Sequence, residues 1–583
     1  MEQDPRIAAR GRSASQMQIE VPFAAKRTVA TKAKAKTKTK PKRGRARAPS
    51  KPTPRRGRQE DLAQTLAGRQ REISVSEFFA KNRHLLGFDN PAKALLTTVK
   101  EAVDNALDAC EEANVLPELH VVVTQFAEDR FCVAVEDNGP GIVRGQVPKI
   151  FGKLLYGSKF HSLKQSRGQQ GIGISAAGMY GLLTTGKPVL VMSRTSRRAT
   201  ARRFEVAINT KKNAPDILLE EETEWEKDHG TRVEITLQGT YKKGRHSIDG
   251  YLKQVSVANP HARIVYTPPS REGNGETIDY DRTASEPPRE PKEIRPHPHG
   301  VELGIFLKML QDTKARNLQG FLRAEFSRVG QKVIEDLGVE LAAAKVGVTT
   351  RSHPKRIAAR DAEALHQALG RIKIMSPQTD CLSPIGEELL LKALESRVPA
   401  DFYTTVTRPP AVYRGNPFQI EVGLAHGGDL SGDDLIELYR YANRVPLQYQ
   451  RGACAMTKAV VDVPWRNYRI SQSRGALPTA PMILVVHIAS VWVPFTSESK
   501  EAVAHYPEIL REIRLGLQEC GRRVALHIGR RRRAAEEHKK RSYIQKYIPQ
   551  IGIALQEILG LSDRSRDKTV KTLTDVLERS RKM

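Results

Sequence analysis

The chain has 583 residues, which is too long for a single hydrophobic core, so about three folded units with extensions are expected. Its 95 Lys and Arg residues outnumber its 66 Asp and Glu residues, and the net charge of +29 indicates a polyanionic partner such as nucleic acid. The five cysteines form no C-x-x-C pair, which favours a reducing compartment and argues against a zinc module held by sulfur.

The longest apolar run, residues 481–495, is interrupted by His487 and Ser490 and is too short to cross a bilayer. The N-terminus also lacks the apolar core of a signal peptide. We therefore expect a soluble, intracellular protein with no membrane partner.

Residues 1–70 are rich in Lys, Arg, Ala, Thr and Pro and predict a disordered basic tail. Residues 26–58 hold fifteen Lys or Arg and no acid, which leaves about +14 of the net charge for everything else. Contact with DNA phosphates and a merely solvated extension are both open for this tail.

The segment 97–113 has the spacing of an amphipathic helix, and Asn90-Pro91 is a helix-start signal just before it. Glu101 and Asn105 are one turn apart on a face beside the apolar one. Such a pair suits metal-assisted hydrolysis of a nucleotide, because Glu101 could accept a proton from the attacking water and Asn105 could ligate Mg²⁺. Ordinary solvated side chains are the alternative at this point.

Two predicted strands follow, at 120–126 and 130–136, and the second runs into Asp137-Asn-Gly-Pro-Gly141. A glycine-rich stretch, 167–174, then precedes a helix predicted to start near Ile174. Glycines there would let backbone N–H groups approach phosphates at the positive end of that helix. Each motif alone is weak, but their order in the chain is informative.

The order E-x-x-x-N, D-x-G-x-G, G-x-x-G-x-G resembles the ATP-binding (GHKL, or Bergerat) fold of gyrase, clamp chaperones, histidine kinases and MutL-type repair proteins. The stretches FFAKNRHLLGFDNPAKALLTTVKEAVDNALDACEEA, FGKLLYGSKFH and RGQQGIGISAAGMYG are similar to the B subunits of DNA topoisomerase VI, a type IIB topoisomerase. This resemblance covers residues from about 73 to about 560.

The resemblance implies that Glu101 is the general base, that Asn105 ligates Mg²⁺ and that Asp137 accepts the adenine amino group. Gly141 would leave room for the adenine ring. Thr231 matches the family's last nucleotide-contacting position, although a Thr that simply opens a strand is the alternative.

The resemblance also implies a lid and a phosphate-binding loop. The lid would carry Ser158 and Lys159. One lysine from the following domain would reach the γ-phosphate, and its place in the sequence indicates Lys458. The loop around the triphosphate would consist of Arg167, Gly168, Gln169, Gln170, Gly171, Ile172, Gly173 and Ile174.

The fold class expected is α+β and multidomain, with a GHKL ATPase α/β sandwich, a helix-two-turn-helix insert and a transducer of ribosomal-protein-like βαβ fold. The predicted boundaries are 1–70 for the tail, 71–262 for the ATPase domain, 263–299 for a linker, 300–378 for the insert, 379–560 for the transducer and 561–583 for a C-terminal tail.

In the transducer segment, DFYTTVTRPP, PFQIEVGLAHGG and IELYRYANRVPL predict strands and PMILVVHIASVWVPF predicts a buried strand. Long helices are predicted from about Ser497 and again from Tyr543.

Several polar groups carry weaker signals. His297 and His299 could suggest a metal, and Asp279 with Asp281 resembles a Toprim D-x-D, but both pairs are assigned to the linker. The basic residues of the insert could contact DNA or form a solvated face; they are Arg316, Arg323 and Arg328. For the basic C-terminal helix, DNA contact, a solvated face and association with the other component of the enzyme stay open; its cations are Arg522, Arg523, Arg530 to Arg533, Lys539, Lys540 and Arg541.

The function implied is that of the ATP-binding B subunit of a type IIB topoisomerase, with ATP and Mg²⁺ as cofactors. ATP would close a homodimer of this chain around duplex DNA, held by backbone contacts. A separate A subunit would cut the DNA within an A₂B₂ assembly, in the cytoplasm at the nucleoid or in a eukaryotic nucleus. The alternative is a nucleotide-gated clamp, chaperone-like or MutL-like, without strand passage.

Overall fold

The computed structural model describes residues 66–68, 72–157, 162–168, 171–244, 246–270, 273–497 and 499–579. The predicted basic tail, apart from 66–68, lies outside the described residues, and so do Ser158, Lys159, Gln169 and Gln170. Within the described part of the chain, no helix combines the length and apolar character needed to cross a membrane.

The first domain is built on an eight-stranded sheet in the order β8-β7-β1-β2-β6-β3-β4-β5. All neighbouring strands are antiparallel except β1 and β7, which are parallel. Its elements are α1 (Val75–Lys81), α2 (Pro91–Glu112), β1 (Glu118–Ala127), β2 (Arg130–Glu136), α3 (Val147–Gly152), α4 (Gly173–Thr185), β3 (Val189–Arg194), β4 (Ala201–Asn209), β5 (Ala214–Thr223), β6 (Gly230–Gln238), α5 (Ile248–Ala258), β7 (Arg263–Thr267) and β8 (Ile278–Tyr280).

Helix α2 forms where the sequence predicts it. The side chain of Asn90 accepts a hydrogen bond from the backbone N–H of Lys93 at 2.8 Å, and Pro91 occupies the first turn, where its missing N–H costs nothing. The apolar face of α2 is buried against alternate side chains of β1 and β2, such as Val121 and Val133. The opposite, polar edge of the helix is therefore left to face a cavity.

The predicted linker at 263–299 is wrong in its first half. Strand β7 pairs with β1, and β8 pairs with β7, so both extend the sheet of the first domain. Asp279 lies on β8 and makes an ion pair with Arg263 on β7, at 2.7 Å between Oδ2 and Nη2. A three-residue polar edge strand carries no apolar period, and for that reason the pattern resembled a linker.

A helical insert follows and has a core of its own, which includes Phe306, Phe321 and Phe326. Its helices are α6 (Leu303–Asp312), α7 (Leu318–Glu325), α8 (Gln331–Ala343) and α9 (Ala359–Arg371). His297 and His299, which precede it, contact backbone carbonyls of Met375, Leu369 and Ile372 through Nε2. These rings join the ends of the insert.

The second domain has a sheet in the order β9-β11-β14-β12-β13, with β10 paired to β11, and β14 is buried along its whole length. Its elements are α10 (Glu387–Arg397), β9 (Phe402–Thr407), β10 (Ala411–Tyr413), β11 (Asn416–His426), β12 (Glu437–Ala442), β13 (Val445–Pro446), α11 (Ala455–Asp462), β14 (Met482–Ser490), α12 (Pro507–Leu559) and α13 (Asp563–Arg579).

Three sequence predictions for this region need correction. The stretch predicted as one strand, IELYRYANRVPL, is the hairpin β12–β13. The two predicted long helices are one helix, α12, which begins at Pro507 and continues through Pro549. The predicted C-terminal tail contains α13, which folds back so that Arg566 Nη1 donates to Gln556 Oε1 on α12 at 3.2 Å.

A buried Glu421–His487 pair holds the centre of the second domain. Both side chains have no exposed surface, and Glu421 Oε2 lies 2.7 Å from His487 Nδ1. The carboxylate also accepts the backbone N–H groups of Ile385 and Gly386. Burial raises the pKa of Glu421, but the bond to His487 and the two N–H groups bring it below its usual value.

We predict that Glu421→Ala strongly destabilises the second domain, because two backbone N–H groups and His487 would lose their buried partner. The loss in free energy of unfolding should be about 3–5 kcal/mol. Calorimetry on the full chain measures it, with Glu388→Ala in the same domain as the control, since Glu388 forms an exposed pair with Lys392. Equal melting of the Glu421 variant and the parent would contradict this assignment.

Candidate functional site

A cavity of about 370 Å³ lies between the first and the second domain. Helix α2, the end of β2 and the start of α4 line it from the first domain. The segments 446–449 and 499–501 line it from the second domain. A ligand in this cavity would therefore touch both domains.

Glu101 and Asn105 both line the cavity, as the helical spacing predicts. Gly173, the first residue of α4, lies directly against the carboxylate of Glu101. A Cβ atom on Gly173 would stand 1.7 Å from Glu101 Oε2, so any other residue would displace this carboxylate. The glycine motif and the helix motif are thus parts of one site.

Asp137 is buried at the end of β2 and lines the cavity. Its Oδ1 accepts the backbone N–H groups of Gly139 at 2.8 Å and of Thr231 at 3.1 Å. Burial raises the pKa of Asp137 to about 6, although these two hydrogen bonds oppose the shift. The carboxylate is fixed in position and can accept a donor from a ligand.

Two glycines allow the backbone to approach Asp137 closely. Gly141 has φ +71°, and a Cβ there would lie 2.1 Å from the carbonyl oxygen of Arg194. Gly230 has φ +140°, and a Cβ there would lie 2.2 Å from the carbonyl oxygen of Asp137. The second glycine precedes Thr231, which also lines the cavity. Thr231 stands at the site as predicted, and its backbone N–H holds Asp137.

The described part of the predicted phosphate-binding loop divides into two sets. Five of its residues line the cavity beside the N-terminus of α4, which favours an anion there; they are Gly168, Gly171, Ile172, Gly173 and Ile174. Arg167 does not line the cavity. Its buried guanidinium binds Asp108 and Glu111 on α2, at 2.8 and 2.6 Å. Arg167 thus anchors the loop instead of facing a ligand.

The structure does not bring Lys458 to the cavity. Lys458 lies on α11, and its half-exposed ammonium pairs with Asp462 one turn later, at 3.2 Å from Oδ2. The lysine that reaches the cavity from the second domain is Lys500. Burial lowers the pKa of Lys500, and the carboxylate of Glu101 opposes this shift. The two charged groups therefore interact across the domain boundary.

Sequence reasoning missed Lys500 because it lies in a turn with no periodic pattern, at φ 53°. One signal could have indicated it: the polar segment 496–501 directly follows the buried run of β14, so a lysine there lies at the end of a core strand. The neighbouring Glu501 is held by Lys93 of the first domain, at 2.7 Å. This pair fixes the segment that carries Lys500.

The segment 446–449 was also missed. Buried Arg440 on β12 holds it, because Nη2 donates to the carbonyls of Leu447 at 2.8 Å and Tyr449 at 2.9 Å. The ring of Tyr449 lies 5.1 Å from the ammonium of Lys93. Together these contacts fix the wall that the second domain contributes to the cavity.

Among the described residues, no group of three or more His, Cys, Asp and Glu side chains could hold a metal ion. Glu101 and Asn105 nevertheless present oxygen atoms to the cavity. Mg²⁺ is commonly held by one or two protein oxygens together with water and substrate phosphates, so this donor set suits Mg²⁺ only in the presence of a phosphate ligand.

Comparison with known proteins agrees with this geometry. Residues 90–240 match the family model described as "Histidine kinase-, DNA gyrase B-, and HSP90-like ATPase". Residues 377–540 match the model described as "Topoisomerase VI B subunit, transducer". These matches confirm the predicted fold class, with an ATP-binding GHKL domain followed by a transducer, which is the second domain.

Relatives that are named as the B subunit of type 2 DNA topoisomerase 6 are similar to most of the chain. The protein of Archaeoglobus fulgidus is 47% identical over 513 residues, which cover 88% of this chain and 83% of that protein. The protein of Methanococcoides burtonii is 47% identical over 499 residues, which cover 85% and 79%. The protein of Natronomonas pharaonis is 36% identical over 683 residues, which cover 86% and 85%.

Identity at this level over most of both chains, together with an ATPase and a transducer match, confirms the function predicted from the sequence. The chain belongs to the family of B subunits of type 2 DNA topoisomerase 6, the ATP-hydrolysing subunits of type IIB DNA topoisomerases.

Proposed function

We propose that the cavity between the two domains binds ATP with Mg²⁺ and that the residues converging there carry out its hydrolysis. The observation that carries this proposal is the contact between Gly173 and Glu101, which brings a carboxylate against the N-terminus of α4. The carboxylate of Asp137 would accept the adenine amino group. The backbone N–H groups of Gly171 and Gly173 would contact the phosphates.

In the hydrolysis step, a water molecule attacks the γ-phosphorus, the bond to the β–γ bridging oxygen breaks, and ADP leaves. Glu101 accepts the proton of that water as general base. Asn105 would hold Mg²⁺, which neutralises charge on the phosphate oxygens when bound. Each residue then has a separate task at one end of the cavity.

We further propose that Lys500 contacts the γ-phosphate. It is the lysine that the second domain brings to the cavity, and it interacts with Glu101. A fixed cation stabilises the charge that develops on the transferred group. Because Lys500 belongs to the second domain, this contact would also make the arrangement of the two domains depend on the γ-phosphate.

At the level of the assembly, we propose that two copies of this chain close on duplex DNA when ATP binds, within an A₂B₂ complex with a DNA-cleaving A subunit. The naming of the relatives as one of two kinds of topoisomerase chain and the net charge of +29 support this arrangement. We assign the protein to the compartment that holds the DNA. Ser158, Lys159, Gln169 and Gln170 remain proposed nucleotide contacts from the family resemblance.

Relaxation of supercoiled plasmid tests this function. We expect ATP-dependent relaxation by the chain with its A subunit and none by the chain alone. Glu101→Gln should abolish relaxation and lower the rate of ATP hydrolysis by about 10²–10⁴-fold, since the general base is lost, while ATP affinity stays within about twofold. Binding and turnover are measured on the same preparation. Normal turnover in this variant would remove Glu101 from its role, and relaxation without a partner would overturn the division of tasks between the two chains.

We predict opposite effects of Asp137→Asn on binding and on stability. ATP affinity should fall, because the variant's amide no longer offers a charged acceptor to the adenine amino group. Stability without nucleotide should rise by up to about 3 kcal/mol above pH 6, because the pKa of the buried carboxyl is raised from 3.8 to about 6 and ionisation therefore costs free energy.

The sign of this effect gives a pH window. Below pH 3.8 the carboxyl is protonated in both the folded and the unfolded parent, so the gain of the variant should vanish there. Thermal melting on both sides of this window tests stability, and calorimetric titration with ATP tests binding. Unchanged ATP affinity would contradict the role of Asp137.

We predict that Lys500→Ala lowers the rate of ATP hydrolysis by about 10²-fold or more, since a charged donor to the γ-phosphate is lost, while ADP affinity stays unchanged. Lys458→Ala is the matched control, because Lys458 is a lysine of the same domain outside the cavity. Steady-state kinetics on both variants decides between the two lysines. Loss of activity in Lys458→Ala alone would restore the sequence-based assignment.

A further inference from the structure

The hairpin between β12 and β13 turns at Asn443 and Arg444, which have φ values of 48° and 68°. Two successive residues with positive φ form a type I′ turn, in which the second position strongly favours glycine. An arginine there is strained, so its side chain is the reason to look for a role.

The guanidinium of Arg444 is buried and extends toward the first domain. Its Nη2 donates to the Oγ atom of Ser383 at 3.0 Å and to the carbonyl of Pro384 at 3.1 Å. Its Nη1 lies 3.7 Å from Oε1 of Glu111, on the last turn of α2. Arg444 therefore joins the second domain to the helix that carries Glu101.

Glu111 is the meeting point of these charges. Its carboxylate binds Arg167 through two parallel hydrogen bonds of 2.6 and 2.8 Å and lies 2.7 Å from His261 Nε2. Asp108 binds the same guanidinium of Arg167 at 2.8 Å. Two carboxylates thus face Arg167, and the approach of Arg444 adds the second positive charge to this buried group.

The residues just before Gly168 are held by the second domain as well. The side-chain amide of Gln165 donates to the carbonyl of Ser383 and accepts its backbone N–H, both at 2.9 Å. The side chain of Asn443 donates to the carbonyl of Ser166 at 3.0 Å. Three successive residues, 165–167, are therefore fixed at the base of the glycine loop.

We propose that Arg444 and Asn443 are positioning residues that hold the base of the glycine loop, so that this loop is ordered for a triphosphate only while the second domain is docked on the first. This contact is separate from that of Lys500, which acts at the far end of the phosphates. The inference rests on the proposed function, because it assumes that the loop binds phosphates.

The test uses Arg444→Gly in the full chain, which removes the guanidinium and also relaxes the strained turn. We expect faster amide hydrogen exchange in residues 165–174 and a kcat/KM for ATP lowered by about tenfold, mainly through KM. Arg444→Lys should give an intermediate effect, because the charge is kept but the fork that reaches Ser383 and Glu111 is lost.

Arg414→Gly is the matched control. Arg414 has φ 42° in the hairpin turn between β10 and β11, and its guanidinium lies 5.1 Å from the ring centre of Tyr506. The same substitution there should leave exchange at 165–174 and kcat/KM unchanged. Equal effects of the two glycine variants would show a general loss of stability in the second domain and would overturn the inference.

If Arg444→Gly fails to fold, Gln165→Ala tests the same contact from the side of the first domain. It should increase exchange at 165–174 and raise KM for ATP in the same way. Parent-like exchange and kinetics in whichever variant folds would overturn the positioning role. The Glu101→Gln result is independent of this outcome, so the inference can fail while the proposed function stands.

Discussion

The ion pair between Arg167 and Glu111 joins the three parts on which the cavity depends. It connects the glycine loop to the last turn of α2, and Arg444 of the second domain approaches the same carboxylate. Burial raises the pKa of Glu111, but the guanidinium of Arg167 holds it well below its usual range. Removing one partner of such a buried pair typically costs about 3–5 kcal/mol, because the other charge is left uncompensated. The loop and the helix are therefore fixed to each other.

This constraint explains why one helix can organise the site. The polar edge of α2 presents Glu101 and Asn105 to the cavity and, two to three turns later, Glu111 to Arg167. The same rigid element thus sets the distance between the carboxylate of Glu101 and the base of the loop. At the other end of the loop, Gly173 lies against Glu101 itself. Both ends of the loop are positioned by side chains of α2.

Much of the first domain could be predicted from the sequence because its signals are local. The apolar period of α2, its Asn-Pro start and the order of the three motifs indicate the positions of Glu101, Asn105 and Asp137. The family comparisons confirm the fold class and the function. The role of each residue remains a prediction, since no comparison tests it.

What could not be predicted depends on contacts between distant segments. Arg167 belongs to the glycine motif by sequence, but two carboxylates of α2 turn its side chain away from the cavity. Lys458 lies four residues before Asp462 on a helix, which is the spacing of a surface ion pair. Lys500 lies in a turn, and only the folding of β14 brings it to the cavity. The edge strand β8 is too short for a period of its own.

The shared cavity has a thermodynamic consequence for how nucleotide and domain arrangement are coupled. A ligand shifts a conformational equilibrium only by the difference in its contacts with the two states. Asp137 and Gly173 belong to the first domain and can contact a nucleotide in any arrangement of the domains. Lys500 and the segment 446–449 contribute only while the second domain is docked. The γ-phosphate, which Lys500 would contact, is thus the part of the nucleotide that can favour docking, whereas adenine binding by Asp137 can be strong and still leave the arrangement of the domains unchanged.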